Sequence, residues 1–162
     1  MADLLPPNPM KYELIRNNRF IVRFPSDLGI QAWEVSKASL PKLSINSVAI
    51  EFMNTETYVP GRYKWEPIQV TFRNFIGPSS AQALMEWIRL DVESITGRQG
   101  YSAGLKRDIT IEMLDPTGVT VQKWLLKNAF PTSYSQSDAD YSQDGINEIT
   151  TDIQYDFAIL IF

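Results

Sequence analysis

Along residues 45–74, INSVAIEFMNTETYVPGRYKWEPIQVTFRN, apolar and polar positions alternate. Val48, Ile50 and Phe52 fall between Ser47, Ala49 and Glu51, and beyond Pro60-Gly61, Ile68, Val70 and Phe72 fall between Gln69, Thr71 and Arg73. A period of two on both sides of a turn signal predicts two strands joined at Pro60-Gly61, each with one dry and one polar face. Arms of about ten residues at ~3.3 Å per residue are long for a globular strand, so this hairpin should project beyond its own domain. Its polar face is built from small uncharged residues, among them Ser47, Ala49, Thr55, Thr57, Gln69 and Thr71. Such a face suits close approach to something large and smooth better than it suits a packed core or a catalytic pocket.

The same alternation recurs along the chain. Phe20, Val22 and Phe24 predict a first strand stopped by Pro25, and Trp33 and Val35 give an apolar face to a second over residues 31–36, broken by Ser39-Leu40-Pro41. The period then changes. Ser79 followed by Gln82 fits a capping box, and Leu84, Trp87, Ile88, Val92 and Ile95 recur at helical spacing up to Gly97. Gly97, Gly100 and Gly104 form a connector, since the stretch lacks the Gly-Lys-Ser/Thr ending of a phosphate loop. A second hairpin follows: Ile109, Ile111 and Met113 alternate with Thr110 and Glu112, and Asp115-Pro116-Thr117-Gly118 signals a turn. On the return strand Val119, Val121 and Leu125 stand opposite Thr120, Gln122 and Trp124.

Residues 133–147 are polar. Asp140, Ser142, Asp144 and Gly145 resemble a calcium loop, but Thr151 stands where the bidentate Glu belongs and the flanks are strand-like, which favours a solvated acidic turn. The last strand carries Ile149, Ile153, Tyr155, Phe157, Ile159 and Ile161 on one face, and from Ala158 onward the other face turns apolar through Leu160 and Phe162. Such a strand must be covered on both sides. Pro6, Pro7 and Pro9 force extended backbone at the start of the chain, which reads as an arm, either a disordered tail or one ordered by a partner. The expected organisation is an arm over 1–18 and one domain over 19–162. Its fold class is mainly β: an antiparallel barrel or sandwich of six to eight strands with one flanking helix and two long hairpins.

Composition narrows the function. At 162 residues, 44% hydrophobic and 21% charged, the chain can bury a core without staples. A net charge of −4 argues against binding nucleic acid through a basic face. The absence of Cys and His removes thiolate and imidazole chemistry, and no metal or other cofactor is expected. No membrane-spanning run and no secretory leader are apparent. Glu51, Glu56, Glu66 and Asp108 are the carboxylates an acid–base enzyme would need, but no spacing forces any two together. A carbohydrate-binding barrel using Trp33, Trp65, Trp87 and Trp124 is the rival from another class. Weakly blunted strand edges point instead to self-association, and copies joined head to tail form a ring if the rotation between them closes.

Several short stretches, in this order, resemble the tail tube protein of contractile-tailed bacteriophages, a T-even-like family related to the inner tubes of contractile injection systems and type VI secretion. They are Ser39-Leu40-Pro41, Phe52-Met53-Asn54, Val59-Pro60-Gly61, Ile68-Gln69-Val70-Thr71-Phe72, the Trp87 helix, Phe130-Pro131-Thr132 and Asn147-Glu148-Ile149, covering about 18–160. The resemblance implies hexameric rings stacked into a hollow cylinder with two hairpins per subunit lining the lumen, here 47–57, 64–73, 109–114 and 119–126. The inward faces would be Ser47, Ala49, Glu51, Gln69, Thr71, Arg73, Thr110, Glu112, Thr120 and Gln122. A bulge near Met53-Asn54 would flip the register before it. The turn around Gly61, with Tyr58, Pro60 and Arg62, and the arm with Pro6 and Pro7 would bridge to the next ring. Implied partners are other copies, the sheath, baseplate and terminator proteins, and DNA in non-specific passage. The implied location is the virion tail, after assembly in the host cytoplasm. An injection-system or type VI tube is the alternative within this class.

Overall fold

Two antiparallel layers face each other across the core in the computed structural model, which describes residues 13–162. The first layer holds β1 (Phe20–Arg23), β6 (Arg107–Leu114), β7 (Thr120–Pro131) and β10 (Phe157–Leu160) in that spatial order. The second holds β2 (Val35–Ala38), β5 (Ile68–Arg73), β9 (Glu148–Gln154) and the short β8 (Ser135–Gln136). β7 joins them by turning a corner, pairing with β10 through residues 124–127 and with β9 through Phe130-Pro131. At the corner Asn128 takes φ 56°, a left-handed conformation that Asn tolerates better than most residues. Two carboxylates hold it there. Asp108 accepts from Lys127 Nζ (2.6 Å) and the Asn128 N–H (3.1 Å), and Asp156 accepts from Asn128 Nδ2 (2.7 Å) and Lys106 Nζ (3.1 Å).

Alternation builds the core. Val22, Ile109, Ile111 and Leu126 of the first layer meet Ile68, Val70, Phe72, Ile149 and Ile153 of the second, all essentially buried. Helix α1 (Ser80–Arg89) covers one flank with Leu84 and Trp87. The Ser79 half of the expected capping box forms, its side chain accepting from the Gln82 N–H and satisfying one orphan donor of the first turn, whereas Gln82 Nε2 donates forward to Glu86 Oε1 at 3.0 Å and not back to Ser79. Trp87 points inward and donates from Nε1 to the Leu105 carbonyl of the short α2 (Ser102–Leu105) at 2.8 Å. The helix is shorter than its apolar spacing predicted: it ends at Arg89, and Val92 and Ile95 are exposed.

The first hairpin departs most from expectation. β3 (Lys42–Phe52) and β4 (Thr55–Glu66) pair through a two-residue loop at Met53-Asn54, with Met53 at φ 54°. Pro60-Gly61 is therefore not the turn. It lies mid-strand, where the register shifts between Ile45 and Ser47 and β4 carries an extra residue. A Cβ on Gly61 would sit 3.0 Å from the Asn46 carbonyl oxygen and 3.1 Å from Val48 Cγ2, so any side chain here would have to push the facing strand aside, and glycine suits the bulge. The bulge thus occurs at Gly61, and not near Met53-Asn54. Nor is 64–73 one strand: β4 ends at Glu66, Pro67 intervenes, and β5 enters the second layer.

Two smaller differences have local causes. Residues Ala32–Glu34 form a 3-10 turn ahead of β2, which leaves Trp33 half exposed against Phe75 and buries Glu34, whose Oε2 accepts from Ser80 Oγ at 2.7 Å. On β7 a register shift beside Val121 inverts the expected faces. Gln122, Trp124 and Leu126 oppose Met113, Ile111 and Ile109 on the core side, and Thr120, Lys123 and Leu125 oppose Leu114, Glu112 and Thr110 on the other. Val119 and Val121 are left exposed.

Candidate functional site

No concave pocket gathers the predicted residues; they lie on three outward surfaces. The first is the β3–β4 ribbon. One face carries Ser47, Ala49 and Glu51 opposite Pro60, Tyr58 and Glu56. The facing carboxylates of Glu51 and Glu56 repel, and Tyr58 relieves this by donating its hydroxyl to Glu56 Oε2 at 2.8 Å. The reverse face carries Val48, Ile50 and Phe52 opposite Val59, Thr57 and Thr55. These apolar side chains are uncovered, with Ile50 53% and Phe52 70% exposed. A lone two-stranded ribbon is marginal in water, so this stripe belongs against another surface.

The second surface is the outer face of the first layer. Thr110, Glu112 and Thr120 lie together here, with Arg23 and Lys123 around them. Glu112 is 6% exposed and accepts from Arg23 Nε (3.3 Å) and Thr120 Oγ1 (3.3 Å), with Lys123 Nζ at 3.4 Å from its other oxygen. Burial pushes the Glu112 pKa up, but the hydrogen bonds and charges of Arg23 and then Lys123 outweigh it and hold the group below the ordinary glutamate range. One carboxylate thereby pairs with two cations and offsets one of their two charges. Sequence reasoning missed Arg23 and Lys123, and the only trace was their place on the polar alternation of their strands.

The third surface is the outer face of the second layer. Gln69, Thr71 and Arg73 stand opposite Asp152, Thr150 and Glu148. Gln69 Nε2 donates to Asp152 Oδ1 at 3.3 Å, and the Thr71 and Thr150 hydroxyls lie 3.5 Å apart. The two layers present opposite outer faces, so the ten residues expected on one wall are divided. Three are on the hairpin, three on the second layer and three on the first, and Gln122 points to the core side. Tyr58, Pro60, Gly61 and Arg62 lie along β4 rather than at a turn, while Pro6 and Pro7 fall outside the described residues.

The other candidate chemistries are likewise dispersed. Glu51 and Glu56 face each other on the hairpin, Glu66 pairs with Lys42 at its base, and Asp108 is tied to Lys127 at the β7 corner. Trp87 is buried, Trp65 and Trp124 pack against the core, and Trp33 meets Phe75 edge to face. Asp140 accepts from the Ser142 N–H and hydroxyl in an exposed turn.

Residues 16–157 match the family described as T4-like virus tail tube protein gp19. The chain belongs to that family. This tail tube family is structural, not enzymatic. A tail tube protein of Serratia phage KSP90 is 23% identical over 121 residues, which is 71% of this chain and 66% of that relative's length. Among solved structures, the tube-terminating cap of the anti-feeding prophage aligns with a TM-score of 0.72 at 22% identity, over 98% of this chain and 95% of that one. The sheath–tube complex of an extracellular contractile injection system, PVC, contains a chain that aligns with a TM-score of 0.71 at 23% identity, over 91% and 90%. A type six secretion system protein shares the fold more distantly, with a TM-score of 0.52 at 10% identity over 87% and 81%. The tail tube fold is thus common to phage tails and contractile injection systems.

Proposed function

We propose that this tail tube protein closes into six-membered rings that stack into the hollow inner tube of a contractile phage tail, a conduit for DNA during ejection. The observation that carries the reading is the β3–β4 ribbon, 11 and 12 residues long, whose apolar face has nothing among the described residues to cover it. Such a ribbon is finished only by another copy. Tyr58, Pro60, Gly61 and Arg62, spread along β4, make the contact to the neighbouring subunit or ring.

The first layer supplies the wall. An inner wall has the smaller circumference, so it is the layer that closes edge to edge, and the second layer then faces outward with Gln69, Thr71 and Arg73. Four strands from each of six copies, about 24 strands spaced ~4.8 Å and tilted ~40°, give a barrel of ~48 Å backbone diameter. Subtracting inward side chains leaves ~35 Å for cargo. Thr110, Glu112 and Thr120 face this lumen, and Glu112 screens Arg23 and Lys123 from passing phosphates, which a bare basic wall would retain.

The structural relatives support the setting. The anti-feeding prophage baseplate, solved with 6-fold symmetry, aligns with a TM-score of 0.64, and PVC chains of this fold were solved in sheath–tube and terminator assemblies. Sheath, terminator and baseplate proteins are therefore the proposed partners. The virion tail is the destination, reached by assembly in the host cytoplasm. An injection-system tube is the second reading, favoured by those same structures; the phage family match favours the tail.

Light-scattering mass measurement across a concentration series tests the reading. Mass should step from monomer to six-fold multiples and then to polymer. A protein that stays monomeric at high concentration, even when seeded with tail fragments, overturns it.

A further inference from the structure

Every residue of β3 and β4 is exposed except Trp65. The ribbon is a two-stranded sheet of its own, and among the described residues no strand of either layer pairs with it. Its side-chain hydrogen bonds stay within it, from Ser44 to the Lys64 carbonyl, from Thr55 to the Phe52 carbonyl and from Tyr58 to Glu56. No ion pair among the described residues includes a residue of 42–66. Pro41 and Pro67 bracket the two strands, and neither has an N–H with which to carry a ladder across the junction. The ribbon therefore meets the body through one packed side chain.

That side chain sits in a socket. The Trp65 ring packs against the core cluster, with its centroid 6.0 Å from that of the Tyr155 ring at a tilt of 54°. Tyr155 directly follows β9 and is 2% exposed. Its hydroxyl is enclosed without a hydrogen-bond partner at the base of the ribbon; burial raises its pKa, the nearby Lys42 N–H works against that, and the Glu66 carboxylate adds to it. Lys42 and Glu66 are the cross-strand pair at that base, so Tyr155 faces both strands of the ribbon where they leave the body. Beside the socket a cleft of about 610 Å³ separates Tyr63 and Lys64 of the ribbon from Leu105, Lys106 and Phe130 of the body, which leaves the ribbon room to turn. The lever is long. From Trp65 to Thr55 is about ten residues, ~33 Å at ~3.3 Å each, and a rotation of about 10° at the base moves the tip by ~6 Å, more than the ~4.8 Å between neighbouring strands.

We propose that Trp65, seated on Tyr155, is a positioning residue that fixes the angle at which the ribbon leaves the body and so presents the face of Val48, Ile50 and Phe52 to a neighbouring copy in one pose. The proposal rests on the reading of the ribbon as an intersubunit element and adds that its pose is set within the protomer, before any copy docks. A ribbon already held at one angle has less orientational freedom to lose on docking, so the same apolar contact yields tighter association.

The natural sequence has no cysteine, so spin labels on Thr57→Cys of the ribbon and Glu86→Cys of α1, both at exposed positions, report one distance. Pulsed electron spin resonance at a dilution that keeps the protein monomeric should give a single narrow distribution. Trp65→Ala should broaden it at least twofold and raise the assembly threshold at least tenfold, while amide exchange keeps its protection along the β3–β4 ladder. Trp65→Phe, which keeps a ring on Tyr155, should restore both the narrow distribution and the low threshold. Should Trp65→Ala fail to fold, Trp65→Leu carries the same prediction. A natural protein as broad as the variant, a variant as narrow as the natural protein, an unmoved threshold, or protection lost throughout the ribbon overturns the positioning role and leaves the ring reading intact. A protein that never assembles overturns the ring reading, and the distances alone then decide whether Trp65 sets the pose.

Discussion

Replacing two exposed apolar residues on the hairpin's uncovered face, Ile50→Ser/Phe52→Ser, should separate folding from assembly. In the isolated protomer these side chains are 53% and 70% exposed and lie outside the core, so their loss removes only contacts within the ribbon and should cost about 0.5–1 kcal/mol each. For a chain of this size that is at most about 8 °C of melting temperature, on a scale of ~2–4 °C per kcal/mol. In the assembled state the uncovered halves become buried. Full burial of an Ile or Phe side chain is worth ~1.5–3 kcal/mol, so covering the exposed fractions contributes about 1 kcal/mol for Ile50 and nearly 2 for Phe52. Losing ~2.7 kcal/mol per contact is about a hundredfold in the association constant. The assay is the concentration at which pelletable polymer first appears, measured beside thermal unfolding at a dilution that keeps the protein monomeric. A threshold raised ten- to a hundredfold with melting held within that range is the expected result. An unchanged threshold, or a protomer that melts more than about 8 °C lower, would refute the assignment of this face to an intersubunit contact.

Trp87→Phe should lower the urea midpoint, because it leaves the buried Leu105 carbonyl without the Nε1 donor, at a cost of about 1–3 kcal/mol. Trp87→Ala should cost about 3–5 kcal/mol through the cavity as well. Gly61→Val should impair assembly far more than protomer melting, since the clash with the Asn46 carbonyl distorts the ribbon and not the core; amide exchange should show lost protection confined to the hairpin. Glu112 and Asp108 both have lowered pKa values, so the stability they contribute is complete above the ordinary carboxylate range near ~4 and is lost as pH falls through their depressed folded values. Glu112→Gln should therefore destabilise at pH 7, by roughly 1–2 kcal/mol because Arg23 is largely solvated, and the gap to the natural protein should close in urea titrations near pH 3.

Period-two alternation made the β architecture legible because it reports burial directly. Ile68, Val70 and Phe72 are buried as their spacing implied, and the turn at 115–118 closes where Asp115 and Gly118 place it. The helix cap was equally local, resting on Ser79 alone. Failures arose where one residue's meaning depends on its partner strand. Pro60-Gly61 has the composition of a turn, yet the long complementary runs on either side of Met53-Asn54 outweigh it, and the glycine serves a bulge that exists only once Asn46 and Val48 are opposite. Met53 at positive φ carries no turn signal of its own. The β7 faces inverted for a similar reason, because the shift at Val121 is set by pairing with Met113 and Leu114.

The surfaces were legible only as polarity. That Thr110, Glu112 and Thr120 share a face follows from β6–β7 pairing, and that Gln69, Thr71 and Arg73 turn the opposite way follows from the layer β5 joins. No alternation within one strand encodes which layer it will enter. Trp33 and Glu34 show the same limit. Alternation placed Trp33 in an apolar face, but the 3-10 turn and the Ser80 hydroxyl bring the carboxylate inward instead.

The most direct test of the account is electron microscopy of the purified protein at rising concentration. Six-fold rings that stack into hollow rods, with a continuous inner wall built from β1, β6, β7 and β10, are the predicted result. Solid fibres, or particles that stay monomeric at every concentration, would contradict it.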